Sequence, residues 1–300
     1  MTWDLYECVF RLKSPLHIGC HKVLHLSRTR PYIPGKLIWA ALTSKLTPAL
    51  GINDYPRVGQ FLKNSIRYGY FYLWASDKLY LPQYTEEGLK FGELQQNTFE
   101  KKFISTMASS AIQPQSLTAE EGMLHEIEFI NPTVIDNGEK VFLKGLLWIN
   151  EISEEGLNIL KEDNETSIFS NNEYEVKIQK GLQLHIGGER RSGFGLVELK
   201  EIKKISNSDL TSTGFFGEWK EQNKEIVISL RTNDPIWAHA KHSSNLKIKG
   251  DIEFIVGREW DTQKGAGKLL RVEDLSWVPG SILIEDKKFK ITDFGLWEAV

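Results

Sequence analysis

Apolar and polar residues alternate from the start of this chain. Tyr6, Cys8, Phe10 and Leu12 make one face of a segment whose other face carries Glu7 and Arg11, which predicts a strand over 5–12. Ser14-Pro15-Leu16-His17-Ile18-Gly19 breaks it. Pro34-Gly35 then leads into residues 36–47, where Ile38, Ala41, Leu42 and Leu46 share one helical face and Pro48 supplies the stop. Residues 67–74 form an aromatic-rich strand. From 75 to 121 no strong period appears, which predicts a long, partly irregular insertion.

Strand patterns return at 124–130 and 140–149, with Asp136-Asn137-Gly138 as turn chemistry between them. Residues 153–161 and 174–184 read as helices on either side of the polar loop 162–166, and a strand follows over 194–205. The order is strand, helix, two strands, helix, strand. It predicts an α+β fold: a ferredoxin-like (RRM-like) β-α-β-β-α-β domain with insertions over 1–205. The polar stretch 206–213 is a linker. Beyond it, strand-like runs at 225–230, 246–256 and 281–294 predict a smaller β-rich domain over 214–300.

Ahead of the strand at 194–205 lies Ile186-Gly187-Gly188-Glu189-Arg190-Arg191-Ser192-Gly193-Phe194-Gly195. Glycines permit positive φ and close backbone approach. Successive main-chain N–H groups in such a loop can form an anion-binding nest, and two guanidinium forks suit phosphate. The same composition also suits an ordinary basic turn. It is not a nucleotide-binding fingerprint, because no G-K-[ST] follows and no strand-then-helix order surrounds it.

Net charge over the 300 residues is −3, so any nucleic-acid contact must rest on a local basic face. Hydrophobic content of 41% and aromatic content of 11% indicate a globular chain. Cys8 and Cys20 are the only cysteines, which excludes a disulfide framework. With no long apolar run and no basic leader, the expectation is a soluble cytoplasmic protein without membrane partners.

Together these landmarks resemble the RAMP superfamily of CRISPR-associated proteins. Ser14-Pro15-Leu16-His17-Ile18-Gly19 with Tyr32-Ile33-Pro34-Gly35 is similar to the family's opening motif. Leu124-His125-Glu126-Ile127-Glu128 and Phe142-Leu143-Lys144-Gly145 resemble its central strand pair, and Gly187–Gly195 resembles its glycine-rich loop. The tail, Val256-Gly257-Arg258-Glu259-Trp260 with Val278-Pro279-Gly280-Ser281-Ile282, resembles the Cas-five-like subunits of type III effector complexes. The resemblance implies a non-catalytic subunit that binds the repeat-derived 5′ tag of the guide RNA. Its implied partners are the large polymerase-like subunit and the backbone RAMP subunits. The implied RNA-binding residues are Gly187, Gly188, Arg190, Arg191, Ser192, Gly193 and Gly195, with His17, Lys36, Arg258 and Lys268. No cofactor, metal or catalytic residue is implied.

Two departures matter. Trp39 and Thr43 stand where many relatives carry Lys and Arg, and residues 109–115 hold neither Arg nor Asp where slicing subunits carry a catalytic thumb. An alternative stays open: metal-independent endoribonucleases of the superfamily process repeat RNA with a histidine near the first helix, and His17, His21, His25, Tyr32 and Lys36 occupy that region. Against it, about a third of the chain follows the glycine loop. A second alternative is an RNA-binding module outside CRISPR, which would show aromatics on its central strands. The four-residue spacing of His17, His21 and His25 would suit a helix face, but the turn signals predict a hairpin with exposed imidazoles. His239-Ala240-Lys241-His242 is expected to be a solvated loop.

Overall fold

The computed structural model describes residues 2–118, 124–261 and 265–300, with backbone alone for 258–261, 266, 273 and 274. A central sheet runs through Gln183–His185, Leu196–Ile205, Trp3–Leu12, Phe142–Asn150, Ile66–Ala75 and Tyr32–Ile33, with Lys78–Leu79 also paired to Ile66–Ala75. Every pairing in it is antiparallel. The first strand sits in the middle, between the last long strand and the third. Alternation along each strand therefore gives the sheet two buried faces.

On one face, helices Gly35–Ala49 and Tyr55–Ser65 connect the first long strand to the second, completing a β-α-β unit. The first helix packs Ile38, Ala41, Leu42 and Leu46 inward as its periodicity predicts, and Pro48 sits in its last turn rather than beyond its end. The second helix is capped by Asp54, whose carboxylate accepts the N–H of Arg57 at 3.0 Å. Its first turn holds Pro56, where a missing N–H costs nothing.

The helices predicted over 153–161 and 174–184 are not formed. Ile152–Glu154, Leu157–Lys161, Ser167–Ser170 and Glu175–Ile178 make a four-stranded antiparallel sheet in their place. Glu155 and Gly156, at φ 51° and 76°, form a two-residue hairpin turn between Glu154 and Leu157. Two consecutive positive φ values are the geometry that lets a tight turn follow the strand twist. Leu157, Ile159 and Phe169 then pack with Tyr6, Leu46, Phe61 and Ile202. The chain is thus α+β with β-α-β elements and several sheets, and its second half uses strands where a helix was expected.

The segment predicted as an irregular insertion is largely ordered. It contains the three strands Pro82–Thr85, Gly88–Phe91 and Leu94–Gln95, the helix Gln96–Phe103 and the hairpin Ile104–Ser109 with His125–Ile130. That hairpin joins Leu26–Thr29 and Gly19–Val23 in a four-stranded sheet.

The opposite face of the central sheet carries Trp3, Leu5, Tyr70, Tyr72, Leu146 and Trp148, all buried. A second seven-stranded sheet, built from strands between Glu218 and Ala299, closes over it. Trp237 stands 6.5 Å from Trp148 and 4.6 Å from Trp297, ring centre to ring centre. The hydroxyl of Tyr72 donates to the Trp237 carbonyl at 2.6 Å, satisfying the one polar atom that burying this ring would strand. Among the described residues, no helix is long and apolar enough to cross a membrane.

Candidate nucleic-acid interface

Three hydrogen bonds from backbone N–H groups weld the glycine loop to the break after the first strand, and a fourth closes the loop on itself. Gly188 N–H donates to His17 O at 2.9 Å, Gly195 N–H to Pro15 O at 2.8 Å and Leu196 N–H to Ser14 Oγ at 2.9 Å. Ile186 N–H closes the loop on Gly195 O at 2.8 Å. Two motifs about 170 positions apart in the sequence are therefore one structural unit. Its base also includes Phe194, which meets Phe129 edge-on at 5.5 Å.

The glycines differ in what they do. A Cβ on Gly195 would fall 2.0 Å from Ile186 O, and one on Gly187 would fall 2.4 Å from His17 O; both residues have positive φ, 84° and 81°. Gly193 also has positive φ, 83°, but open space beside it. Gly188 would bring a Cβ 3.3 Å from the His17 ring.

Above this base the chain makes an exposed arc. Glu189 takes a left-handed conformation and Arg190–Ser192 form one turn of 3₁₀ helix. The amides of Ser192, Gly193 and Phe194 bond within the arc. Those of Glu189, Arg190 and Arg191 have no intramolecular acceptor among the described residues. The Arg190 Nε donates to Gly187 O at 3.1 Å, which pins that guanidinium across the loop, while Arg191 and Ser192 project into solvent. The arc thus offers open N–H donors beside two cations. Glu189, also exposed, offsets part of that charge.

His17 is buried beneath the loop. Its Nδ1 lies 2.7 Å from Glu128 O, and since a carbonyl can only accept, Nδ1 carries a proton. The Glu128 carboxylate is occupied by Arg28 Nε at 3.0 and 3.1 Å and by the N–H of Thr29 at 3.1 Å. Arg28 is thereby committed to the fold. His21 and His25 lie exposed on the hairpin of Gly19–Val23 and Leu26–Thr29.

The remaining expected contacts fall in a second neighbourhood. Lys36 opens the first helix with its Nζ 4.9 Å from the Phe294 ring centre, and the Cβ position of Gly257 lies 3.2 Å from that Nζ. Lys268 is exposed on the strand Gly265–Trp277. The side chain of Arg258 lies outside the described residues.

Sequence reading missed one cluster. His239, expected in a solvated loop, is fully buried between the two sheets. Its Nε2 is 2.6 Å from Glu253 Oε1 and its Nδ1 2.7 Å from the Tyr70 hydroxyl. Arg30 holds the same carboxylate at 2.6 and 2.8 Å and also donates to the Tyr32 hydroxyl at 3.1 Å. Burial pushes the Glu253 carboxyl up, but hydrogen bonds from His239 and Arg30 and the nearby Arg30 charge more than reverse this, bringing it down to about 2. Burial pushes His239 below its ordinary value, partly opposed by the Glu253 bond. The neutral imidazole then donates from Nε2 to the carboxylate and accepts the Tyr70 proton at Nδ1. With Tyr32 and Tyr70 buried and bound in this network, the cluster joins the sheets. Beside it a cleft of about 370 Å3 is lined by Arg28, Tyr84, Phe99, Glu128 and Glu253 among others. Among the described residues, no three His, Cys, Asp or Glu side chains converge to hold a metal ion.

The aromatic sheet face that an RRM-like module would use to stack bases is covered here by the second sheet. That removes the structural basis for the sheet-stacking alternative.

No protein-family model matches this chain, and no curated protein matches it. Solved structures with similarity to it include chains from cryo-EM work on the type III-B Cmr-beta. One chain, in that assembly bound to cognate target RNA, is 13% identical, with 92% of this chain and 86% of that chain covered and a TM-score of 0.49. Another, from the form bound to cognate target RNA and AMPPnP, is 12% identical over 93% and 85%, with a TM-score of 0.48. A chain of the apo state is 9% identical over 66% and 97%, with a TM-score of 0.38. These likenesses assign no role to any residue of this chain.

Proposed function

We propose that this chain is a non-catalytic RNA-binding subunit of a type III CRISPR ribonucleoprotein, and that it holds the repeat-derived 5′ tag of the guide RNA. The observation that carries the reading is the exposed arc Glu189–Ser192, seated on a base fixed by His17, Pro15 and Ser14. Rigid backing holds the unsatisfied amides beside the Arg190 guanidinium, pinned to Gly187 O, and the exposed Arg191, an arrangement suited to phosphate recognition. The sequence resemblance supplies the identity of the strand. The β-α-β half of the central sheet supports a ferredoxin-like ancestry whose second helix has been replaced by strands. Neighbours in the particle are the large polymerase-like subunit and backbone RAMP subunits. The chain does no chemistry on RNA: Arg28 and Tyr32 are engaged in the fold, and the thumb-like stretch 109–115 lacks a carboxylate.

The test is purification of the chain from cells carrying a type III array, followed by sequencing of the bound RNA. A uniform repeat-derived 5′ tag is expected. RNA of random sequence, or none, would sink the reading.

A further inference from the structure

Where the two large sheets meet, a cavity of about 280 Å3 is lined by the cations Arg67, Lys241, Arg271 and Lys290 and by the Phe294 ring. The Arg67 side chain is only 13% exposed and lies against the Trp3 ring, 5.1 Å from its centre, which holds the guanidinium in place. Its Nη1 donates to the Lys63 carbonyl. Its buried Nε has no hydrogen-bond partner among the described residues. Nη2 has only the Glu225 carboxylate at 3.9 Å, beyond hydrogen-bond reach. Nε and Nη2 form one edge of the guanidinium, the kind with which arginine grips an oxyanion at two points. A buried donor left without an acceptor is costly for the fold alone, and so points to a ligand.

Two ammonium groups beside it are loosely held. The nearest carboxylate to Lys290 is Glu298 at 3.7 Å, and Glu298 already takes Lys241 at 2.8 Å. Lys63 makes no ion pair among the described residues. Its Nζ stands 5.3 Å from the centre of the Phe294 ring and 5.9 Å from that of Trp39. The third carboxylate of the cavity, Asp293, stays 3.7 Å from Arg67 Nη1. Arg67, Lys63 and Lys290 therefore keep capacity for an anion that the chain's own acids leave unused.

We infer that this cavity binds a backbone phosphate of the RNA, as a second anchor apart from the glycine loop. The inference rests on the ribonucleoprotein reading above. Arg67 stands opposite Trp148, and Trp148 opposite Leu5, near the start of the first strand, whereas the loop is seated on Ser14–His17 beyond that strand's other end. At about 3.3 Å per residue the two sites are roughly 30 Å apart, so they engage different nucleotides of one strand. Phosphate suits the cavity better than the carboxylate of an acidic protein. Its oxygens point in tetrahedral directions and can meet donors entering from three separate elements, while a carboxylate offers two oxygens in one plane.

The test measures binding of a 5′-tagged guide RNA to the full chain by fluorescence anisotropy over a salt series. Lys63→Ala/Lys290→Ala should lower affinity by about five-fold or more and flatten the slope of log K against log salt by roughly one. The control Lys45→Ala/Lys101→Ala removes the same charge from exposed helix positions and should leave the slope unchanged. Arg67→Lys keeps the charge but loses the two-point edge, and should also weaken binding. Should that variant fail to fold, the lysine pair carries the test alone. Unchanged affinity and slope in the lysine pair, or an equal effect in the control, would overturn the inference. So would stabilisation by inorganic phosphate that the lysine pair loses while RNA binding is unchanged, which would mark a site for free phosphate. Loss of binding to poly-glutamate but not to RNA would assign the cavity to an acidic protein instead. If the unmodified chain binds no guide RNA, the ribonucleoprotein reading itself fails, and the two failures are distinguishable.

Discussion

The carbonyl oxygen of His17 accepts the Gly188 N–H at 2.9 Å and lies 2.4 Å from where a Cβ on Gly187 would fall. One atom thus both anchors the glycine loop and forbids a side chain there. Gly187→Ala and Gly195→Ala combine a backbone clash with positive φ and should cost about 2–4 kcal/mol each. Gly193→Ala meets only the φ penalty, about 1 kcal/mol. Arg191→Ala should leave stability within about 0.5 kcal/mol. Urea denaturation of the four variants checks the order. Equal losses at Gly193 and Gly195 would contradict it.

Salt dependence reports the loop's electrostatic role. Replacing Arg190 and Arg191 together with alanine should weaken RNA binding and flatten the slope of log K against log salt by roughly two, about one per lost phosphate contact. Fluorescence anisotropy over a salt series measures this. An unchanged slope would remove the arc from the interface.

Acid should loosen the seam between the sheets. His239 sits below its ordinary value, so the unfolded chain binds a proton near pH 6.5 that the folded chain refuses, and stability falls as pH drops below that point. Glu253 is depressed to about 2, so its contribution is whole above roughly pH 4.5 and drains away as pH falls toward 2. Melting temperature should therefore decline from pH 7 to pH 3. Glu253→Gln should abolish the lower part of that decline and cost about 3 kcal/mol at pH 7, because Arg30, with its side chain only 14% exposed, loses its counter-ion. A flat melting profile over this range would show that the cluster does not bear on stability.

Incubation with repeat RNA, with and without magnesium, should leave the RNA intact. Proton transfer to or from a reacting hydroxyl demands a rigidly placed group. His21 and His25 are exposed on a hairpin, and His17 spends Nδ1 on Glu128 O. Metal-free cleavage at the repeat junction that disappears in His17→Ala, His21→Ala or His25→Ala would reassign the chain as a processing nuclease.

Where one face of an element is buried in the ordinary way, its sequence announced it. The first strand and the first helix carry their own periods, and both formed. The stretch 153–161 misled because Leu157, Ile159 and the polar residues around them fit either period over so short a run. The decisive signal was Glu155-Gly156, a pair that closes a two-residue hairpin. The pairing of Ile252–Asp261 with Gly265–Trp277 was only half legible, since Ile252, Phe254 and Val256 face solvent and no strand was predicted over Gly265–Trp277. His239 could not have been found locally. Its burial is set by Tyr70, Arg30 and Glu253, which only tertiary structure brings together. The glycine loop was conspicuous in the sequence, but that it stands on Ser14–His17 was not.

The covering of the central sheet has a consequence during synthesis. Trp148 leaves the ribosome 149 positions before Trp297, the farthest of the tryptophans that roof it. At about 5–20 residues per second, the aromatic face is bare for on the order of ten seconds. A nascent chain in that interval presents Trp3, Tyr70, Tyr72 and Trp148 as an adhesive surface to its neighbours on the same message. The second sheet ends that exposure when it arrives, acting for the first as a late, covalently attached chaperone.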